Sequence, residues 1–428
     1  MTGDVRQETQ DLSVDLDPMQ HLRNLDYSRR AGTEGERKAA AYIAGVLAEN
    51  GIESARQEFH FERPKLLPKL VPPLVLLLWT ILSLANLRYW DSNPIMSLLV
   101  LALPSALILA VLNLDRVMRV SFARRRKKLR QVAAEVEDGT LPLDQVVTSQ
   151  NVIAELGPED AEKQVLFTAH FDSVSSMMPM RVTTICMGLG FAGTLLYSLA
   201  ILANFITRSL FGLDFLQPNF SLVAAVALIT LCCLEVFFLS RLFRGNESHG
   251  IIDDGTGVAI LLELARFVRE HPIPGYKITF GFFGAEEAGL VGSATYYDSR
   301  PVDKSRLHVI SVDMIGEKPP LSYVKGIYPV RRRQMDAAFN AQIASIAEQL
   351  DIEVKGKNFP YPGSDFGHFM LDGECRTNWF ISQSDLIHSK RDTLDNVQEA
   401  LVQDALKLLV AYLTEVGGPG KSRKDNVP

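Results

Sequence analysis

Cysteine is scarce in this chain, four residues in 428, and Cys186, Cys232 and Cys233 lie inside apolar runs. Only Cys375 sits in polar sequence, so no disulfide framework can be built and nothing requires an oxidising compartment. The N-terminal stretch is acidic and polar and lacks the apolar core of a cleaved secretion signal, which sets aside export by that route. Basic charge is in deficit as well: 44 Lys and Arg against 50 Asp and Glu leave a net charge of −6. That balance argues against a nucleic-acid binder, whose footprint is a basic face. Internal repeats are absent. Apolar residues, by contrast, make up 47% of the chain and charged ones 22%, with a mean hydropathy of +0.08. The chain is too apolar to be wholly soluble and too charged to lie wholly in a membrane, so the two characters are segregated along it.

Four segments are long and nearly free of charge: Leu70–Leu87, Pro94–Leu114, Val182–Ile206 and Phe220–Ser240. A helix needs roughly 20 apolar residues to cross a hydrocarbon core of about 30 Å. Pro68, Pro72, Pro73 and Pro104 weaken the first two spans without excluding them. The spans pair into two hairpins, 70–114 and 182–240, each returning to the side it left. Residues 115–130 carry eight Lys or Arg and one acid, whereas the tips hold only Arg88 and Arg208. The positive-inside rule therefore predicts a multi-pass protein of the cell's inner membrane with its polar bulk in the cytoplasm. The lipid bilayer is the expected partner, its anionic headgroups attracted by the basic run. Glu235 is the only ionisable residue within the spans.

Without the hairpins, residues 1–69, 115–181 and 241–416 read as one domain, followed by a disordered tail at 417–428. Glu34–Asn50 has the pattern of an amphipathic helix capped by Thr33. Val165–Phe171, Lys277–Phe283, Leu307–Val312 and Asn378–Ser382 are short apolar runs of buried-strand type. Thr256–Glu270, Arg331–Leu350 and Glu399–Val416 read as helices. Such alternation predicts an α/β/α sandwich around a central, mostly parallel (mixed) sheet, interrupted by two transmembrane helical hairpins. Its chemistry should collect at the strand carboxyl ends.

Five short motifs fall there: His170-Phe171-Asp172-Ser173, Asp253-Asp254-Gly255-Thr256-Gly257, Glu286-Glu287, Asp313-Met314 and Ile387-His388-Ser389. Each is weak alone. Together they offer two imidazoles and several carboxylates, a nitrogen and oxygen donor mix that suits zinc. Adjacent glutamates at a strand-to-helix turn can point differently, one toward a metal and one toward a water.

In these motifs, and in Arg30–Ile43 and Asn151–Glu155, the chain resembles the co-catalytic two-zinc aminopeptidases, a family that includes glutamate carboxypeptidase and glutaminyl cyclase. The resemblance implies two Zn²⁺ per chain, one held by His170 and Asp313, the other by Glu287 and His388, with Asp253 bridging. It implies Glu286 as general base and Asp172 as the residue that orients His170. The implied activity is removal of N-terminal residues from peptides by a metal-bridged water. The pattern departs from the family's at two points: 80 residues separate Asp172 from Asp253, and Ile387 stands where an aromatic hydroxyl is usual. Tyr361 is a candidate substitute for that hydroxyl, and His368, after Ser364-Asp365, a candidate substrate contact. His249 reads as a surface or supporting histidine.

A carboxypeptidase, a single-zinc glutaminyl cyclase, an inactive receptor-like module and a transporter are the alternatives. Hairpin 182–240 hangs from loops bearing the predicted ligands, which leads to an expectation of apolar or membrane-released peptide substrates. For the topology, cysteines placed at Ser92 and Gln217 should react with an impermeant thiol reagent outside intact cells, while one at Ser305 stays unlabelled. Labelling at Ser305 would put the catalytic domain on the outer face.

Overall fold

The computed structural model describes residues 16–63, 65–88, 100–102, 105–106, 109–299, 304–328, 330–373 and 375–417. Two units emerge, one of Met1–Arg63, Met118–Ser175 and Asn246–Pro428, the other of Pro64–Val117 and Ser176–Gly245.

The first unit is built on a nine-stranded sheet: β1 (Ser54–Glu62), β2 (Val146–Leu156), β3 (Lys163–His170), β4 (Tyr276–Phe283), β5 (Leu307–Val312), β6 (Lys318–Ile327), β7 (Arg333–Gln334), β8 (Val354–Phe359) and β9 (Arg376–Gln383). The order is β1-β2-β4-β3-β5-β9-β6-β8, with β7 beside β6. The four central strands β4-β3-β5-β9 run parallel, and antiparallel pairs lie outside them. The sheet is thus mostly parallel and mixed, as the apolar runs predict.

Side chains alternate across a strand, and here both sets are buried. Val165, Phe167 and Ala169 of β3, Ile278, Phe280 and Phe282 of β4, and Ile310 and Val312 of β5 join one apolar cluster. Helices α1 (Pro18–Leu25), α2 (Glu34–Glu49), α7 (Thr256–Glu270), α9 (Ala337–Leu350) and α11 (Glu399–Gly417) supply much of the rest of it. The alternate set meets α8 (Val291–Ser299) and α10 (Gly367–Asp372): Phe283 lies 5.6 Å from Tyr296, and Ser311 Oγ accepts from the Phe366 amide. Helices therefore cover both faces. Phe167 and Phe280, fully buried and stacked at 5.8 Å, each contribute stability that truncation to Ala would lower by about 3–5 kcal/mol.

Three boundaries differ from expectation. Arg331–Asp336 is not helical: Arg333–Gln334 pairs with β6, and Asp336 caps α9 by accepting from the Phe339 amide at 2.8 Å. The basic run lies in α4 (Leu114–Glu137), where Phe122 packs 4.7 Å from His368 and Arg126 sits over the Tyr297 ring, so part of it serves the polar domain. Gly417 closes α11, and 418–428 lie outside the described residues.

Among the described residues of the second unit, three stretches are long and apolar enough to cross a membrane: α3 (Leu66–Arg88), α5 (Met180–Phe211) and Gln217–Leu242, which contains α6 (Phe220–Leu242). About half of the expected span Pro94–Leu114 (94–99, 103–104 and 107–108) falls outside the described residues. Gly190 of α5 faces α6 so closely that an added Cβ would lie 2.7 Å from Leu234 Cδ2, the small-residue packing that membrane helices favour. Tyr197 bonds Ser83 Oγ at 2.9 Å and meets Trp79 edge-on. Leu74, Leu189, Leu196, Leu222 and Ile229 are exposed.

Candidate active site

The four parallel strands end on the same side, and their carboxyl ends carry the predicted residues. His170 closes β3, Asp313 follows β5, Glu286 and Glu287 follow β4, and His388 follows β9. Asp253 comes from the Ile251–Gly255 turn that opens α7. These residues converge. Asp253 Oδ1 lies 3.0 Å from His170 Nε2, itself 3.9 Å from Asp313 Oδ1, while Asp253 Oδ2 lies 3.1 Å from His388 Nε2, itself 2.7 Å from Glu287 Oε1. One carboxylate thus stands between two donor sets. Ala285, Met314 and His388 adopt left-handed backbone conformations (φ 55°, 55° and 57°), each costing about 1–3 kcal/mol in a non-glycine residue.

The electrostatics are those of crowded acids. Burial would lower both imidazoles, yet Glu286, Asp172 and Asp253 hold His170 well above its ordinary value, and Glu287 and Asp253 raise His388 to about 10. Burial and then the Asp253 charge push Asp313 up to about 7. Burial, Glu287, Asp365 and Asp313 push Glu286 well above the carboxylate range, against the pull of His170. Asp313 Oδ1 is buried with no hydrogen-bond partner. That carboxylate belongs to one of two clusters of nitrogen and oxygen atoms, each within 4.8 Å of one another, and both donor sets fit a divalent cation. The first cluster also reaches Asp254, but that carboxylate already accepts from the His170 and Gly257 amides.

Asp172 differs from expectation in how it acts. Its carboxylate accepts from the Glu286 and Glu287 amides at 2.8 and 3.2 Å. His170 Nδ1 is nearer the Asp172 backbone carbonyl, at 3.1 Å, than its carboxylate, at 3.6 Å. The residue orients His170 through its main chain and fixes the glutamate turn through its side chain. The expectation that His368 touches substrate is corrected: it is fully buried, its Nε2 bonds the Leu290 carbonyl, and its ring packs against Phe122. Tyr361 is half-buried on the loop before α10, its ring over Gly363. His249 pairs with Asp26 at 2.7 Å.

Several neighbours of the site receive no role from the sequence motifs alone. Asp365 is buried and pushed up to about 6 by burial and Asp172. Asp392 accepts from the Ile252 amide at 2.6 Å, and burial and Asp253 push it up to about 8. Arg29 is fully buried behind the ligand loops, and Arg125 donates to the Gly289 carbonyl in the glutamate turn. Glu36 accepts from Ser149 Oγ and from the Gly32 amide, each at 2.5 Å, and is buried. A capping-box spacing, Thr33 to Glu36, was the available signal for Glu36.

Comparison with known proteins accords with this geometry. Residues 237–413 match the model of Peptidase family M28. The chain is 33% identical over 120 residues to Leupeptin-inactivating enzyme 1 of Streptomyces exfoliatus, covering 27% of this chain and 26% of that protein. It is 26% identical over 182 residues to Aminopeptidase YwaD of Bacillus subtilis, covering 39% and 38%. The matched stretches thus span well under half of these relatives' lengths. An aminopeptidase from Aneurinibacillus sp. strain AM-1 shares the fold with a TM-score of 0.54 at 15% identity, over 98% of both chains.

Burial, then Asp172, raises the Glu36 carboxyl to about 8 from an ordinary 4.5. The folded protein therefore keeps a proton that the unfolded chain releases, and stability should fall as pH rises from about 4.5 to 8. Glu36→Gln should flatten that slope in melting temperatures recorded across the window. An unchanged slope would show that Glu36 is already ionised in the folded protein.

Proposed function

We propose that this chain belongs to peptidase family M28 and is a zinc-dependent exopeptidase, specifically an aminopeptidase held to a membrane. The observation that carries the reading is the Asp253 carboxylate, whose two oxygens face different imidazoles at 3.0 and 3.1 Å. One zinc would be held by His170 and Asp313 and a second by Glu287 and His388, with Asp253 shared. Two ions so held supply Lewis acidity toward a peptide carbonyl and a water.

The remaining work belongs to the chain's own residues. Glu286 is not used in either donor set, and two cations held beside it would favour its ionised form over the protonated form that burial alone favours. It accepts a proton from the attacking water and delivers it to the leaving amine, so the group is restored after each peptide bond is cut. Asp172 holds the amides of Glu286 and Glu287, which keeps the two side chains on separate tasks. The matched relatives include Aminopeptidase YwaD of Bacillus subtilis. That supports an aminopeptidase over a carboxypeptidase.

The apolar helices of the second unit support anchoring in a bilayer, and the basic residues beside them support an inner membrane with the catalytic domain in the cytoplasm. Apolar or membrane-derived peptides are the substrates such a location would offer.

Glu286→Gln preserves shape and removes proton acceptance. Turnover of an amino-acid amide should fall by at least ~10²-fold while zinc content stays at the wild-type level; zinc loss in this variant would mean that Glu286 and Glu287 have exchanged tasks. Elemental analysis of the wild type should give close to two zinc ions per chain, and Asp253→Ala should lose both. An active wild type with one tightly held ion would favour cyclase-like chemistry instead.

A further inference from the structure

The two loops that bring His170 and Asp253 together are not neighbours in sequence. The chain leaves the larger unit after Ser175 and re-enters it at Asn246. Chain continuity across that excursion does nothing to hold His170 Nε2 within 3.0 Å of Asp253 Oδ1. Something else must fix the loops against each other.

Arg29 lies between them and is fully buried. Its Nε donates to the Phe171 carbonyl at 2.8 Å, on the residue between His170 and Asp172. Its Nη2 donates to Gly250 at 2.7 Å and its Nη1 to His249 at 2.6 Å, three and four residues before Asp253. Nη1 also reaches the carbonyls of Leu25 and Tyr27, which tie the fork to its own segment. All these acceptors are main-chain oxygens, so the guanidinium reads loop position and not side-chain identity. The backbone repeats the connection: the Arg29 amide donates to Ser173 Oγ at 2.9 Å, and Ser173 Oγ donates to the Ser248 carbonyl at 3.1 Å. At the crossing there is no spare room, since a Cβ on Gly250, whose φ is +63°, would lie 2.4 Å from Ser173 Cβ.

We infer that Arg29 is a positioning residue: its planar fork sets the separation of the His170 and Asp253 loops, and through it the shape of the metal site proposed above. The inference rests on that metal reading. Lysine keeps the charge but has a single point donor group in place of five N–H bonds in a fixed plane, so Arg29→Lys separates geometry from charge.

The test uses the full-length protein in detergent, with zinc affinity read by chelator competition beside steady-state kinetics on an amino-acid amide. Arg29→Lys should remain folded and bind zinc about 10–100-fold more weakly, with kcat falling by a similar factor and KM little changed. Zinc affinity and kcat like the wild type's would overturn the inference, as would a loss confined to thermal stability. Should Arg29→Lys fail to fold, Ser173→Ala decides, because it removes the Oγ link between the Arg29 amide and the Ser248 carbonyl while the Ser173 amide still donates to the Arg29 carbonyl. A weaker zinc affinity in that variant supports the inference, and an unchanged one rejects it. A wild type that bound no zinc would overturn the metal reading and this inference together, whereas a zinc-binding wild type with an indifferent Arg29→Lys overturns this inference alone.

Discussion

Two carboxylates about 4 Å apart repel each other by about 4 kcal/mol at an effective dielectric of 20, and this protein gathers many at one end of its sheet. Asp172, Asp253, Asp254, Asp313, Asp365 and Asp392 are all buried there, with Glu286 and Glu287 half-buried beside them. The nearby imidazoles and Arg29 cannot balance them. The response is visible at particular groups: Asp313 pushed toward protonation, His388 held charged, and an Asp313 oxygen left without a donor. Backbone amides take up part of the load at Asp172, Asp254 and Asp392. What remains is a shortage of positive charge shaped for divalent ions.

The parallel core of the sheet solves the placement problem. Four adjacent strands run the same way, so residues just past their ends are neighbours whatever their separation in sequence. Short turns then aim the side chains, at the expense of left-handed backbone at Ala285, Met314 and His388. A sheet buried on both faces provides the packing that offsets such strain.

How much of this could be read from the sequence follows from the same physics. Strands β3, β4, β5 and β9 were legible because strands buried on both faces are continuous apolar runs. β1, β2, β6 and β8 lie toward the edges, and stretches such as Val354-Lys-Gly-Lys-Asn-Phe359 carry no such run. The helix ending at Leu350 is legible, but the sequence pattern carries it back to Arg331, whereas Asp336 caps it at Ala337. Site residues with the chemistry of metal ligands announced themselves by type and place. Arg29, Asp365 and Asp392 did not, because their importance lies in which distant backbone or charge they meet. His368 misled for the converse reason: its motif borders the site, but its ring fills a gap between Phe122 and Tyr297.

The division of the polar domain into separated chain segments has a consequence for how the protein is made. A ribosome delivers the N-terminal end first, at about 5–20 residues per second. His170 and Asp172 emerge early, the long apolar helix pair follows, then Asp253, the glutamates and Asp313, and His388 last of all. The 218 positions from His170 to His388 take roughly 10–45 s to synthesise at that pace. Throughout that interval the nascent chain holds an incomplete set of donors and no assembled cleft. The donor set is thus complete only after the apolar helices have left the ribosome, so the order of the chain itself delays assembly of the site until those helices have emerged.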